Sequence, residues 1–148
     1  MSDLKDILSI FKSFVPGPRL IDGGELQQFA NLEFSVKTGI TALAGGGQAG
    51  ATPLPAAFNR VDTCATNSDS VMLPQAIPGA SCTVYNNTGQ TLAVFGLVNN
   101  QVTGVGDTIA AIANNTQQPT ATGVTQATAT QVQYVCYVAG QWKQGPLT

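Results

Sequence analysis

From about Ala56 onward, short apolar runs alternate with clusters of Asn, Gly, Pro and Ser, a spacing that predicts strands joined by turns. The runs are AFNRVDT, SVMLP, SCTVYN, TLAVFGLV, DTIAAI, GVTQA, QVQYVCYV and QWKQ; between them fall TNSD, IPGA, NNTG, NNQVTGVGD, NNTQQPTATG and AG. In QVQYVCYV, Val132, Tyr134, Cys136 and Val138 share one face, and Val135 and Tyr137 share the other. Two apolar faces place that strand centrally or against a neighbour. The expected fold is mainly β, an antiparallel sandwich or jelly-roll-like barrel over residues 56–148.

The pattern before it has a helical period. Leu4, Ile7, Leu8 and Phe11 recur at i, i+3, i+4 and i+7, with Ile10 and Phe14 widening the stripe. Ser2 or Asp3 can cap this helix, and Pro16-Gly17-Pro18 ends it. A second helix is predicted from Asp22, with Glu25 completing a capping box, a partly apolar face of Leu26, Phe29, Ala30, Glu33 and Val36, and Gly39 as its stop. Residues 1–44 thus read as an N-terminal helical arm.

Between arm and strands lies GGGQAGAT, Gly45 to Thr52, which shares the glycine spacing of a phosphate-binding P-loop. Ala51 stands where the lysine is needed, and Pro53 and Pro55 obstruct the helix that should follow. Residues 45–55 therefore read as a hinge, with the prolines stiffening its exit.

Charge changes the picture most. Of the 148 residues 9% are charged, the net charge is -2, and from Ser70 onward only Asp107 and Lys143 are ionic. A typical soluble domain is about 25% charged. Without a basic patch, nucleic acid is not an expected partner. A partner is held by shape and apolar contact. No run of 18 apolar residues suggests a membrane span, and the start lacks the cleavage pattern of a secretory signal.

Candidate chemistry is sparse. There is no histidine, so Ser-His-Asp and Cys-His systems cannot be built from this chain. Cys64, Cys82 and Cys136 are odd in number and scattered; they read as three buried thiols of a reducing cytoplasm, with one disulfide and a left-over thiol as the alternative, and no metal or cofactor is expected. Asp62, Asp69 and Asp107 sit at turns, where a carboxylate hydrogen-bonds the backbone more often than it does acid–base work. Arg60 can pair with Asp62, two residues along the same strand face, or contact a partner subunit. Trp142 reads as an edge-strand aromatic closing the core or as an exposed ligand platform. The chain is not expected to be an enzyme.

The segments Asn59-Arg60-Val61, Cys64-Ala65-Thr66, Asp69-Ser70-Val71, Leu73-Pro74 and Gly140-Gln141-Trp142 resemble a group of tailed-bacteriophage structural proteins, and PRLIDGGELQQFAN with TGITALAGGGQAGAT looks like the N-terminal part of such proteins. The likeness runs from about Pro18 to Lys143. It implies a virion component of the capsid decoration (cement) or head-fibre type, made in the host cytoplasm and placed on the capsid exterior. Its implied partners are the major capsid protein and its own copies, as a homotrimer or next a dimer. Candidate contacts are Leu4, Ile7, Leu8, Phe11, Phe14, Arg19 and Arg60. The alternative is a head or tail fibre binding a host receptor or glycan through Asn99 to Gly123 and Trp142.

Overall fold

The computed structural model describes residues 34–110, 117–119 and 121–145. The predicted arm helices, with Leu4, Ile7, Leu8, Phe11, Phe14 and Arg19, fall in residues 1–33, outside the described residues. The compact β unit begins at Phe34.

The chain winds alternately through two sheets. Strands β1 (Val36–Thr41), β3 (Phe58–Thr63) and β5 (Ser81–Asn86) enter one sheet; β2 (Thr52–Pro53), β4 (Asp69–Met72) and β6 (Leu92–Phe95) enter the other. Val36 pairs with Phe58 and Phe58 with Thr83; Thr52 pairs with Val71 and Val71 with Val94. All four of these pairings are parallel. Successive turns of the coil thus stack at roughly 20 to 25 residues a turn, at the short end of solenoid repeats. Parallel neighbours need a long crossover, and here the strand in the facing sheet supplies it.

Antiparallel strands then close the stack. β9 (Val124–Gln126) pairs with β6, and β10 (Gln131–Val138) pairs with both β5 and β11 (Gln141–Gln144). β7 (Thr108–Ala110) runs parallel to β11, and β8 (Gln117–Gln118) borders it antiparallel. The larger sheet runs β1-β3-β5-β10-β11-β7-β8 and the smaller β2-β4-β6-β9.

The fold is therefore mainly β, as expected, but its sheets are mixed rather than antiparallel. Separators such as TNSD and IPGA carry the chain across to the facing sheet, whereas Ala139-Gly140 folds β10 and β11 directly into a hairpin. Two strands lie where arm and linker were expected. Val36 and Gly39, assigned above to a helix, belong to β1, and Thr52–Pro53 is β2. The β1 residues make main-chain pairs with β3, and non-local pairing overrides a weak local helix period.

The glycine stretch is a tied turn between these two strands. Gly45, Gly46, Gly47 and Gly50 all take positive φ, the left-handed region that glycine enters without strain. At Gly46 a Cβ would stand 2.8 Å from the Ser68 carbonyl oxygen. Gln48 Nε2 donates to the Gly96 carbonyl at 2.9 Å, anchoring the turn on the third winding. No helix follows it, so the phosphate-cradle geometry is absent from these residues.

Both sheets feed one core. Ile40, Val61, Val84, Tyr134 and Trp142 from the larger sheet pack with Val71, Leu92, Val94 and Val124 from the smaller. Trp142 is fully buried, and β11 lies between β10 and β7 instead of at an edge. It closes the core, which removes it as a ligand platform. Buried polar side chains are spent on the winding: Gln126 Nε2 donates to the carbonyls of Val84 and Thr130, and Asn86 Nδ2 donates to those of Gln90 and Ala127. Such groups belong in a core only when satisfied.

Candidate interaction surface

The carboxyl groups of the β unit hold backbone in place. Asp62 accepts hydrogen bonds from the Gly39 amide at 2.7 Å and from Asn87 Nδ2 at 2.7 Å. Arg60 Nε lies 2.8 Å from Oδ1 and 3.0 Å from Oδ2 of the same carboxylate. The hydrogen bond from Asn87 and that from the Gly39 amide hold Asp62 below the usual carboxylate range. Asp69 receives the amides of Ala65, Thr66 and Gly45 and the Thr66 hydroxyl. The Thr66 donors lead in lowering its pKa. These carboxylates face donors they already hold, an arrangement for fastening turns.

The thiols are equally unreactive in design. All three cysteines are free; Cys82 and Cys136 are buried and Cys64 is half-buried. Burial pushes Cys82 up to about 12 and raises Cys64 and Cys136. Little nucleophilic thiolate forms at neutral pH under those conditions. Among the described residues, no group of three or more Cys, Asp or Glu side chains is placed to hold a metal ion.

The surface most suited to contact is built from the loop of residues 96–107, between β6 and β7. Its root is a buried carboxylate. Asp107, fully buried, accepts the Ala76 amide on Oδ2 at 2.8 Å and Asn100 Nδ2 on Oδ1 at 2.7 Å. Asn100 Nδ2 also donates to the Ala76 carbonyl, while Asn100 Oδ1 accepts from the Val102 amide and from Gln75 Nε2. Main-chain bonds from Asp107 to Leu97 and from Asn100 to Val105 close the loop on itself. Gly96 completes the root: a Cβ there would meet the Asp107 carbonyl oxygen at 2.5 Å, so only glycine fits.

This rigid root carries apolar side chains outward. Val102 is 63% exposed and Val105 64%, with Val98 also exposed. The adjoining segments add more: Ile77, Tyr137 at 71% and Val138 are exposed. Close contacts bind these segments together: the Gly140 amide donates to the Ala76 carbonyl, the Gly79 amide donates to the Cys136 carbonyl, and Thr103 Cγ2 lies 3.1 Å from the Cβ position of Gly140. Val138 faces outward because the register slips between Cys136 and Val138, correcting its expected place beside the buried Val132, Tyr134 and Cys136. Asp107 is buried in the root, so the exposed side chains named here are all uncharged.

Of the sequence-predicted contacts within the described residues, Arg60 lies on β3, exposed and paired to Asp62. It is not among the segments gathered around loop 96–107. The sequence signal for the apolar surface was three valines inside a stretch of turn letters, NNQVTGVGD with the preceding Val98. Valine favours strands over turns, so three valines among turn letters stand out.

No family model, curated protein or solved structure matches this chain.

Proposed function

We propose that the chain is a bacteriophage capsid decoration (cement) protein that binds the outer surface of the head and stabilises the shell through protein–protein contacts. The observation that carries the reading is the rigid, uncharged apolar surface of loop 96–107 with Tyr137 and Val138. Isolated apolar side chains on a surface need no explanation, but a group held in place by a buried polar network suits an interface. The resemblance of the Asn59-to-Pro74 and Gly140-to-Trp142 segments to tailed-phage structural proteins supplies the biological setting.

Preorganisation lowers the entropic cost of docking. Repeated modest contacts over a lattice reinforce one another through effective concentration. In this reading the N-terminal residues Leu4, Ile7, Leu8, Phe11, Phe14 and Arg19, with Arg60, serve oligomerisation or capsid anchoring. The expected assembly is a homotrimer, matching threefold positions of an icosahedral shell, and a dimer is the next choice. The mechanism is mechanical, with no enzymatic step.

The test adds purified protein to undecorated heads and measures particle binding and thermal rupture. Binding with a raised rupture temperature supports the reading; absence from particles contradicts it. A head- or tail-fibre role binding glycans is the second reading. With Trp142 in the core, Tyr137 is its remaining aromatic platform on this surface. Glycan-array binding lost in Tyr137→Ala would favour it.

A further inference from the structure

The first turn of the coil is fastened to the second by carboxylates at both ends of one segment. The ladder between β1 and β3 is irregular: paired positions jump from Lys37–Asn59 to Ile40–Val61. Gly39 lies in that irregularity, and its amide donates to Asp62 of β3. Six residues further on, past the end of β1, the Gly45 amide donates to Asp69 of β4 at 3.1 Å. Between these points Ala42 donates to the Thr63 carbonyl, and Leu43 and Ser70 exchange main-chain bonds. The rest of β1 is largely exposed.

We propose that Asp62 and Asp69 form an acid-labile latch, through which the first turn of the coil detaches from the second while the later turns stay wound. This proposal stands apart from the capsid reading. Each carboxylate is acceptor-only when ionised; protonation places a hydrogen where an N–H donor already points. Both groups hold their donors until the pH falls below the ordinary carboxylate range, because the donors around each favour the ionised form. With folded pKa values lowered, the stabilisation is present above the ordinary carboxylate pKa and is lost as pH falls through the folded values.

The neighbouring groups do not replace this chemistry. Around Asp62, β3 contributes Arg60, β1 contributes Lys37, and the β5 side contributes Tyr85 and Asn87. Arg60 favours the ionised carboxylate and so moves the release to lower pH. Among the described residues, Cys64 is the titratable neighbour of Asp69, and β2 and β6 bring none. Asp107 sits elsewhere, at the root of loop 96–107. In the later turns, Asn86, Gln126 and Tyr134 do the fastening with uncharged groups.

The test is hydrogen–deuterium exchange on the full chain, expressed as protection factors, from about pH 7 to about pH 2.5. Amides of Ala42, Leu43, Gly45 and Leu54 should lose protection about tenfold or more in acid, while those of Val84 and Tyr134 keep theirs. Asp62→Asn with Asp69→Asn should show the acid pattern already at neutral pH. If the double variant does not fold, the wild-type pH profile decides alone. Unchanged protection of the first turn in acid, or simultaneous loss in both groups of amides, would overturn the latch.

Discussion

Asn100 Nδ2 donates to Asp107 Oδ1 at 2.7 Å, and this bond closes the neck of an exposed loop from inside the protein. The same side chain receives the Ala76 amide, so one buried carboxyl group joins loop 96–107 to the segment before β5. Replacing Asp107 by Ala strands the Ala76 amide away from water and takes from Asn100 Nδ2 one of its two acceptors, leaving the Ala76 carbonyl. Losing two buried hydrogen bonds and leaving a buried donor unpaired costs about 3 kcal/mol. Urea denaturation of Asp107→Ala should register a loss of that order, with Asp107→Asn losing less.

Gly96→Ala should damage the same neck by steric means. The added methyl meets Asp107 backbone, which cannot swing aside as a flexible side chain would. Overpacking of this kind costs about 1–3 kcal/mol. A thermal melt compared with Gly89→Ala, where nothing lies within 4 Å of the Cβ position, is the check. The Gly89 variant should stay close to wild type.

Trp142→Ala should lower stability by about 3–5 kcal/mol, the usual loss for a large aromatic removed from a core. Trp142→Phe should lose much less, since Nε1 makes no hydrogen bond to be forfeited. Chemical denaturation followed by circular dichroism reads both, since each variant lacks the chain's single tryptophan. A Trp142→Ala protein as stable as wild type would refute its place in the core.

Much of this architecture was legible. The apolar runs around Val61, Val71, Val84, Val94 and Val132 mark strands that the structure contains, and the alternation in QVQYVCYV places Tyr134 and Cys136 inward. Strand direction was not legible, because a turn cluster such as TNSD has the same letters whether it reverses the chain or sends it across to a facing sheet. β1 was missed for a related reason. Its Lys37, Thr38 and Gly39 are exposed and carry no core-facing period, and their strand state comes from pairing with β3. The turn role expected for Asp69 was readable from TCATNSD; that of Asp107 as the root of loop 96–107 required knowing that Ala76 lies beside it.

Arg60→Ala should change stability by about 1 kcal/mol or less, because the ion pair with Asp62 is exposed and such pairs contribute little. Asp62 keeps its bonds from Gly39 and Asn87. A melt within that range, together with weakened assembly in sedimentation, would identify Arg60 as a contact residue. A melt within that range with unchanged assembly would remove it from the contacts.

The central claim is adhesion through an uncharged, preorganised apolar surface. Co-sedimentation of the chain with undecorated phage heads, comparing wild type with Val102→Asp/Val105→Asp, tests it most directly. Both side chains are exposed, so the double variant should fold as wild type does. The predicted result is wild-type binding that varies little with salt, and a folded double variant left in the supernatant. A double variant that pellets with the heads as fully as wild type would contradict the account.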